Sequence, residues 1–346
     1  MFIRNAWYVA AWTDEISDTP LARRICSEPV VLFRDSEGQP AALLDMCCHR
    51  GAPLHLGRVE ADGIVCGYHG LTFDRTGRCV RVPGQDQIPE RAQVRSFPVA
   101  EQDGFVWIWM GEAAMADPAQ IVRFPWHNDT LNWPSKHTVY SIKSAALQMI
   151  DNLMDLTHLG YVHTSTIGGN PTTHLTAKMD TVRTKTGLKF TRWMLNSLPP
   201  PTYVRAVGFQ GQIDRVQMFE FIAPGAILQF SGADEAGAYE NGEVENSKLR
   251  FRLFHGLTPE TETTCHYFWS TLNGFRPDDP VATETLFSEI AGAFNEDKLV
   301  VEAQQERLSE LGEHGLVDIR TDAARLHMRR VMDRLLAQET QGLAAE

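Results

Sequence analysis

Two short stretches that pair a cysteine with a histidine constrain this 346-residue chain more than any other feature. The first is Cys47-x-His49, and the second, after sixteen intervening residues, is Cys66-x-x-His69. Two thiolates and two imidazoles on two loops suit a [2Fe–2S] cluster in which histidine replaces cysteine on one iron, at a reduction potential of about −150 to +300 mV. They also suit a tetrahedral zinc ion. Without a metal, the two cysteines would be buried structural residues. Four residues of metal-binding types at two loop-sized spacings argue against that interpretation.

A second set of metal-binding residue types lies near the middle of the chain. Residues 151–158 read Asp-Asn-Leu-Met-Asp-Leu-Thr-His, and His163 follows five residues later. Two histidines with a carboxylate from elsewhere suit the 2-His-1-carboxylate triad of a non-haem Fe(II) oxygenase, which leaves positions open for oxygen. A regular helix would not bring His158 and His163 to one metal, so we expect a distorted turn near Gly160, because glycine tolerates unusual backbone angles. The two sets together indicate an electron-delivery site and the centre that it feeds.

Composition narrows the class of protein. A length of 346 residues with 43% hydrophobic content favours two domains. No apolar run approaches the roughly 18 residues of a membrane span, the first residues lack a secretory pattern, and six irregularly placed cysteines do not suggest a disulfide framework. We therefore expect a cytoplasmic protein without membrane contact. A net charge of −12 argues against nucleic-acid binding, which depends on neutralising phosphates with Lys and Arg.

Residues 1–115 are predicted to form a small all-β domain. Short stretches rich in β-branched and aromatic residues, at 29–33, 41–44 and 105–110, alternate with Gly and Pro turns. The remaining residues, 116–346, mix helices with longer strands and are predicted to form a second domain of the α+β class.

Within the second domain, residues 144–159 have apolar positions near the helical period and predict one helix. Strands are expected between residues 175 and 270. Asp279 before Pro280 is a good helix start, and this helix is expected to run to Gly312. A last amphipathic helix is expected over residues 322–338.

The chain resembles the oxygenase, or alpha, component of the Rieske non-haem iron oxygenases, and within them the vanillate O-demethylase-type aromatic monooxygenases. The resemblance lies in residues 5–10, 47–54, 66–71, 151–163 and 257–262 and in the helix that carries Asp297. It implies an N-terminal Rieske [2Fe–2S] domain followed by a helix-grip, START-like catalytic domain with a curved antiparallel sheet and long C-terminal helices.

The resemblance also implies the metal ligands. The cluster ligands are Cys47, His49, Cys66 and His69, and the mononuclear iron ligands are His158, His163 and Asp297. Glu296 and Glu302, in the same predicted helix as Asp297, are the competing carboxylates. Cys48 stands where the family often has proline, and we interpret it as a spectator thiol rather than a ligand.

Catalytic roles are predicted for Asp155 and Asn152. On a helix, Asp155 and His158 share a face, so the carboxylate is expected to hold the ring of His158. The resemblance implies that the same carboxylate reaches His69 of the neighbouring subunit in a head-to-tail homotrimer. Asn152 is expected to stand near the iron.

Substrate contacts are the least specific part of the sequence. By resemblance, His255 contacts the carboxylate of an aromatic acid, although it could equally be a strand histidine whose bonds are satisfied within the fold. Met149, Leu153, Trp193 and Trp269 are predicted as pocket walls, with an ordinary core role as the alternative.

The function implied by the resemblance is oxidative O-demethylation of a methoxylated, lignin-derived aromatic acid such as vanillate. The substrate methyl group is hydroxylated with O₂, and the hemiacetal collapses to a phenol and formaldehyde. Because no Gly-x-Gly-x-x-Gly fingerprint is present, NAD(P)H, flavin and a further plant-type cluster are expected on a separate FMN/[2Fe–2S] reductase. The alternatives are methyl hydroxylation of an aryl sulfonate or carboxylate, a non-catalytic Rieske electron carrier and a zinc-binding interaction module.

Overall fold

The computed structural model describes residues 1–313 and 315–343, which divide into two compact units. The first unit comprises residues 1–123 together with residues 258–262, and the second comprises residues 124–257 and the rest of the chain from residue 263. The boundary predicted between residues 115 and 116 falls shortly before this division, and residues 344–346 of the predicted second domain lie outside the described residues. None of the described helices is both long and apolar enough to cross a lipid bilayer.

The first unit is built from short antiparallel strands. Its strands are β1 (Trp7–Trp12), β2 (Leu21–Ile25), β3 (Glu28–Arg34), β4 (Pro40–Leu44), β5 (Arg58–Glu60), β6 (Gly63–Val65), β7 (Thr72–Phe73), β8 (Cys79–Arg81), β9 (Ser96–Phe97), β10 (Val99–Gln102) and β11 (Phe105–Trp109). They form three sheets with the orders β1-β11-β10, β2-β3-β4-β9 and β5-β6-β7-β8. Short 3₁₀ helices cover Thr13–Glu15, Leu54–Leu56, Ala113–Met115 and Pro118–Gln120.

Two of the strands predicted in this unit supply its cores. β11 is a fully buried apolar run and β3 has a buried apolar centre of four residues, which is typical of strands covered on both faces. All three predicted strand stretches fall within β3, β4 and β11, apart from the last residue of the third. The prediction of an N-terminal β domain is confirmed.

The second unit is organised around one seven-stranded antiparallel sheet with the order β12-β18-β17-β16-β15-β14-β13. Its strands are β12 (Ser135–Ile142), β13 (Lys178–Arg183), β14 (Gly187–Ser197), β15 (Ile213–Ile222), β16 (Ala226–Glu235), β17 (Leu249–Pro259) and β18 (Cys265–Asn273). Its helices are α1 (Ala146–Met154), α2 (Leu159–Val162), α3 (Pro171–Leu175), α4 (Pro201–Val207), α5 (Pro280–Leu311) and α6 (Ala323–Leu343), with 3₁₀ helices at Pro125–Asn128 and Arg320–Asp322.

The single helix predicted over residues 144–159 is wrong. Helix α1 ends at Met154, because Asp155 has an extended backbone, and α2 starts after His158 as a separate single turn. The predicted long helix is confirmed: the Asp279 carboxylate accepts hydrogen bonds from the N–H groups of Val281 and Ala282, and α5 ends before Gly312. The last predicted helix is also confirmed as α6.

Helices α1 and α6 are joined by a charged contact. The Asp151 carboxylate is 8% exposed and accepts hydrogen bonds from Nε of Arg329 at 2.9 and 3.1 Å. Nε of Arg325 lies 3.4 Å from the same carboxylate. Asp151, although part of the sequence run that suggested a metal site, therefore holds the last helix instead.

Replacing Asp151 with alanine is expected to destabilise the second unit by about 2 to 3 kcal/mol, because two guanidinium groups lose a largely buried partner. We expect the apparent melting temperature to fall by roughly 5 to 10 °C in circular dichroism. Glu310→Ala is the matched control: its pair with Arg307 is exposed on both sides and should contribute less than about 0.5 kcal/mol. Equal melting temperatures for the two variants would contradict this role for Asp151.

Candidate metal centres

The two cysteine–histidine loops of the first unit have the same backbone pattern. Cys47 follows β4 and Cys66 follows β6, and the N–H of each cysteine donates to the carbonyl five residues later at 2.8 Å. The N–H groups of Gly51 and Gly70 donate back to the cysteine carbonyls at 2.9 and 3.0 Å. Each of these glycines has a φ above +70°, a left-handed conformation that other residues adopt only with strain. The chain thus builds two matching loops that face each other.

These loops separate buried sulfurs from exposed imidazoles. Cys47 and Cys66 are each 2% exposed and belong to the apolar core of the unit. His49 and His69 are exposed, with ring centroids 4.5 Å apart. Burial, and after it the neighbouring Cys66, raise the pKa of the Cys47 thiol to about 11. Two thiolates in such a place need a cationic partner, and the donor set fits the irons of a [2Fe–2S] cluster.

The second centre joins the two ends of α2 to the middle of α5. His158 precedes α2, His163 follows it, and one ligand atom from each histidine and from Asp297 lie within 4.8 Å of one another. Nε2 of His158 lies 3.3 Å, and Nε2 of His163 lies 3.1 Å, from Oδ1 of Asp297. The sequence-predicted triad is therefore brought together, in the spacing that one cation would fill.

The outer ring nitrogens orient both imidazoles. Nδ1 of His158 donates to the backbone carbonyl of Asp155, and Nδ1 of His163 donates to Oε2 of Glu296 at 2.7 Å. Because Nδ1 of each ring is used in these bonds, Nε2 is the nitrogen that would bind a metal beside Asp297.

Asp297 is a buried carboxylate, 2% exposed. Burial alone would raise its pKa, but the hydrogen bonds from His158 and His163 hold the pKa of Asp297 well below its usual value. The amide of Asn152 donates to the same Oδ1 at 3.0 Å, while its own oxygen has no hydrogen-bond partner in the described part of the chain. Metal binding releases protons from its ligands. A divalent iron would therefore replace the hydrogen bonds from the imidazoles in stabilising the Asp297 carboxylate.

Two expectations about this centre are wrong. The Asp155 carboxylate does not hold His158: it lies past the end of α1, and its Oδ1 accepts hydrogen bonds from N and Oγ1 of Thr157 at 2.9 and 2.6 Å. Gly160 is not at a distorted angle but inside α2, where an added Cβ would lie 2.5 Å from Cα of Pro171. The turn itself, with a histidine at each end, brings the two ligands together.

The competing carboxylates take other roles. Glu296 supports His163 from outside and also accepts a hydrogen bond from Oγ1 of Thr166 at 3.4 Å. Glu302 accepts from the backbone N–H of Lys143 at 2.8 Å and is not part of the centre.

A cavity opens at the three ligands. Much of its wall is apolar, and members of that wall include Leu153, Ile167, Phe219, Phe251, Ile290 and Phe294. The polar members are Asn152, Tyr203, Gln217, Gln229, Ser231 and His255 besides the ligands themselves. An apolar volume with a few polar groups is the usual form of a small-molecule site.

His255 organises the polar wall as a neutral ring. It is fully buried, and burial lowers its pKa to about 3. Burial also raises the pKa of Tyr267 well above its usual value, so the Tyr267 hydroxyl can donate to Nδ1 of His255 at 2.7 Å. Nε2 of His255 then donates to Oε1 of Gln229 at 3.0 Å, and the Gln229 amide donates to Oγ of Ser231 at 2.8 Å.

Of the other predicted substrate residues, Leu153 lines the cavity, whereas Met149, Trp193 and Trp269 do not. Met149 is fully buried in the core. Trp269 stacks on Phe287, with ring centroids 4.8 Å apart, and Trp193 packs edge-on against Tyr239. The prediction that these three residues line the substrate pocket is wrong, and their side chains pack against other parts of the fold instead.

Sequence reasoning missed Gln217, Gln229 and Ser231. Gln229 and Ser231 are two residues apart on β16, so both side chains point to the same face of the sheet. Polar residues two apart in an otherwise apolar strand are the signal by which they could have been found.

A larger cavity, with about 950 Å³ of empty space, lies beside Asp155. Arg192 and Arg320 are among its lining residues. Oδ2 of Asp155 makes no hydrogen bond to any described residue and is free on this half-buried side chain.

Comparison with known protein families matches both parts of the chain. Residues 6–98 match the Rieske [2Fe-2S] domain, and residues 142–338 match the vanillate O-demethylase oxygenase C-terminal domain. The second match is the part that a simple electron carrier or a zinc module would lack.

Individual relatives cover nearly the whole chain. The iron-sulfur subunit TsaM1 of the toluene-4-sulfonate monooxygenase system of Comamonas testosteroni is 40% identical, covering 99% of this chain and 100% of that protein. The vanillate O-demethylase oxygenase subunit of Pseudomonas sp. (strain HR199 / DSM 7063) is 38% identical over 100% and 98%. The crystal structure of dicamba monooxygenase bound to 3,6 dichlorosalicylic acid is 33% identical, with a TM-score of 0.92 over 98% and 99% of the two chains.

Glu296→Gln is expected to lower the affinity of the second centre for Fe(II) by about 10- to 100-fold, because the neutral amide no longer polarises His163. The measurement is iron bound per chain against free Fe(II) set by a chelator, with the visible spectrum of the cluster recorded in parallel. The cluster spectrum should not change.

Glu302→Gln is the matched control, since it removes a carboxylate from the same helix away from the centre. If both variants bound iron as the unmodified protein does, the support of His163 by Glu296 would be disproved.

Proposed function

Because this chain belongs to the Rieske non-haem iron oxygenases of the vanillate O-demethylase type, we propose that it removes a methyl group from a methoxylated aromatic acid such as vanillate. The observation that carries the proposal is the convergence of three ligand atoms at a largely apolar cavity. An apolar wall beside the ligands suits an aromatic ring whose methyl group lies next to the metal position.

The reaction has a simple balance. When bound, the cluster delivers electrons, and the mononuclear iron activates O₂. One O₂, two electrons and two protons convert the methoxy group into a hemiacetal and water, and the hemiacetal then collapses to a phenol and formaldehyde. The protein's own task is to hold the methyl group at the iron and to keep bulk water out.

The residues of the cavity divide this task between them. Phe219 and Phe294 offer ring faces to the substrate. The chain of hydrogen bonds from Tyr267 through His255 fixes the orientation of Gln229 and Ser231, whose remaining N–H and O–H groups can donate to a phenolic or acidic oxygen. In this proposal His255 acts on the substrate mainly through Gln229, because both of its nitrogens are already bonded.

Electron transfer is proposed to occur between subunits of a head-to-tail homotrimer. In support, Oδ2 of Asp155 is free beside the larger cavity while its backbone carbonyl holds His158. The exposed ring of His69 from the neighbouring subunit would bind this oxygen. Such an interface closes into a ring when its rotation permits.

The enzyme needs a separate reductase, as the oxygenase components of this family do. We propose an NAD(P)H-dependent reductase with FMN and a plant-type [2Fe–2S] cluster. The six cysteines are free thiols in the structure, in keeping with the proposed cytoplasmic location.

Methyl hydroxylation of an aryl sulfonate is the second candidate. The 40% identity with TsaM1 across 99% of the chain favours it. Both candidate reactions hydroxylate a methyl group on an aromatic acid, and they differ in whether that group is joined to the ring through an oxygen atom or directly.

We expect turnover of methoxybenzoates, with one formaldehyde released for each phenol, when the iron-loaded enzyme is supplied with a surrogate reductase. The panel should include 4-methylbenzenesulfonate and 4-methylbenzoate, scored by product mass. Formation of benzyl alcohols alone would replace the first candidate with the second. No product from any aryl acid by an enzyme with both metals would refute the proposal.

Asp155→Asn is expected to slow oxidation of a pre-reduced cluster in single turnover by at least about 100-fold, because the charge that links two imidazoles is lost. Both metals must be quantified in the variant. Asp180→Asn, at an exposed carboxylate on β13, is the control. Normal cluster oxidation in the metallated Asp155 variant would contradict the bridging role, and a monomer in sedimentation would contradict the trimer.

A further inference from the structure

Arg215 is a buried guanidinium without an anionic partner among the residues that the structure describes. It lies on β15 and is 1% exposed. Its Nη2 donates to the carbonyl of Ile167 at 3.3 Å, but Nε and Nη1 have no hydrogen-bond partner among the described residues. A buried charge without a partner is unfavourable, so this position invites an anion.

The side chain lies on the side of the sheet that carries the substrate cavity. Side chains alternate along a strand, so Arg215 shares a face with Gln217 and Phe219, which line the cavity. The guanidinium carbon lies 4.8 Å from the ring centroid of Tyr203, and both Tyr203 and Ile167 are lining residues. Arg215 therefore lies directly behind the wall that these two residues form.

The other charges near the cavity are already used. The lining contains no lysine or arginine, and His255 is neutral with both nitrogens bonded. The neighbouring Arg192 is buried too, but its donors are used by the carbonyls of Leu156 and His174 at 3.1 and 2.9 Å and by the Gln217 side chain at 3.2 Å. Within the described part of the chain, Arg215 is thus a buried cation beside the cavity with two donor nitrogens that have no partner.

We propose that Arg215 determines the specificity of the cavity for anionic aryl acids, with the carboxylate or sulfonate lying against the Tyr203–Ile167 wall. This inference rests on the proposed function and specifies the class of its substrate. Carboxylate and sulfonate share the charge and the adjacent oxygens that a guanidinium fork recognises. A neutral substrate of the same shape would leave the guanidinium unpaired.

The test compares acids with their neutral amides in equilibrium binding to the holoenzyme. Calorimetric titration would use 4-methylbenzenesulfonate and 4-methoxybenzoate against 4-methylbenzenesulfonamide and 4-methoxybenzamide. The variants are Arg215→Met, Arg215→Gln and Arg215→Lys. Arg252→Met is the matched control. The guanidinium carbon of Arg252 lies 3.9 Å from the Trp126 ring centroid. Phe251 and Leu253, the residues on either side of it in the strand, line the cavity, so Arg252 itself points to the opposite face.

Loss of the charge in Arg215→Met and Arg215→Gln is expected to weaken acid binding by about 10- to 100-fold, the range for a hydrogen bond to a charged group. Amide binding should change by less than about threefold, and both Arg215→Lys and Arg252→Met should keep the preference for acids. Two charge-removing variants are included so that the ratio can be measured in either one that retains both metals.

Equal weakening of acids and amides, an unchanged ratio, or a wild-type enzyme that binds amides as tightly as acids would overturn the inference. The proposed function fails separately. An Arg215-dependent preference for acids without turnover of any of them would refute the function alone, while turnover with an unchanged acid preference in Arg215→Met would refute this inference alone.

Discussion

The burial of the Asp297 carboxylate between two imidazoles is the constraint on which the second unit depends. A negative charge that is 2% exposed is stable only if cations and donors surround it. Helix α5 carries this carboxylate and is capped by Asp279, while Asn152 of α1 donates to it. Helix α1 is in turn tied to α6 through Asp151. The helices of this unit are thus positioned around one charge, and a metal ion is the group that best compensates it.

The cavity that opens at this centre separates neutral hydrogen bonding from full charge. His255 and Tyr267 are kept uncharged by burial, so they can orient Gln229 and Ser231 without attracting counter-ions into the cavity. The positive charge of Arg215 lies behind the part of the cavity wall that Tyr203 and Ile167 form. An aromatic acid can then keep its ring in an apolar volume and its polar groups at one side, which leaves the methyl group for the metal.

Whereas Asp297 was predicted from the resemblance to the family, the cysteine and histidine ligands could be predicted from the sequence because their chemistry lies in residue type and spacing. The family, the fold class and the long helix from Asp279 were predicted for the same reason. The partner of His158 was not, because α1 ends one turn early and the nearest acceptor becomes a backbone carbonyl. The cavity wall was also largely missed. Trp193 and Trp269 were predicted as pocket walls, but strand register decides which face each side chain takes, and both rings pack against other rings.

Two consecutive residues of α5 grip opposite nitrogens of one imidazole: Glu296 takes Nδ1 of His163 and Asp297 faces its Nε2. These two contacts fix both the rotation of α5 about its axis and its position along that axis relative to His163. From Asp279 to Asp297 is eighteen residues, or about 27 Å of helix. One inserted residue would turn the carboxylates by about 100°. Seven would nearly restore their direction but displace them by roughly 10 Å. An insertion between Asp279 and Asp297 would therefore separate the carboxylates from His163.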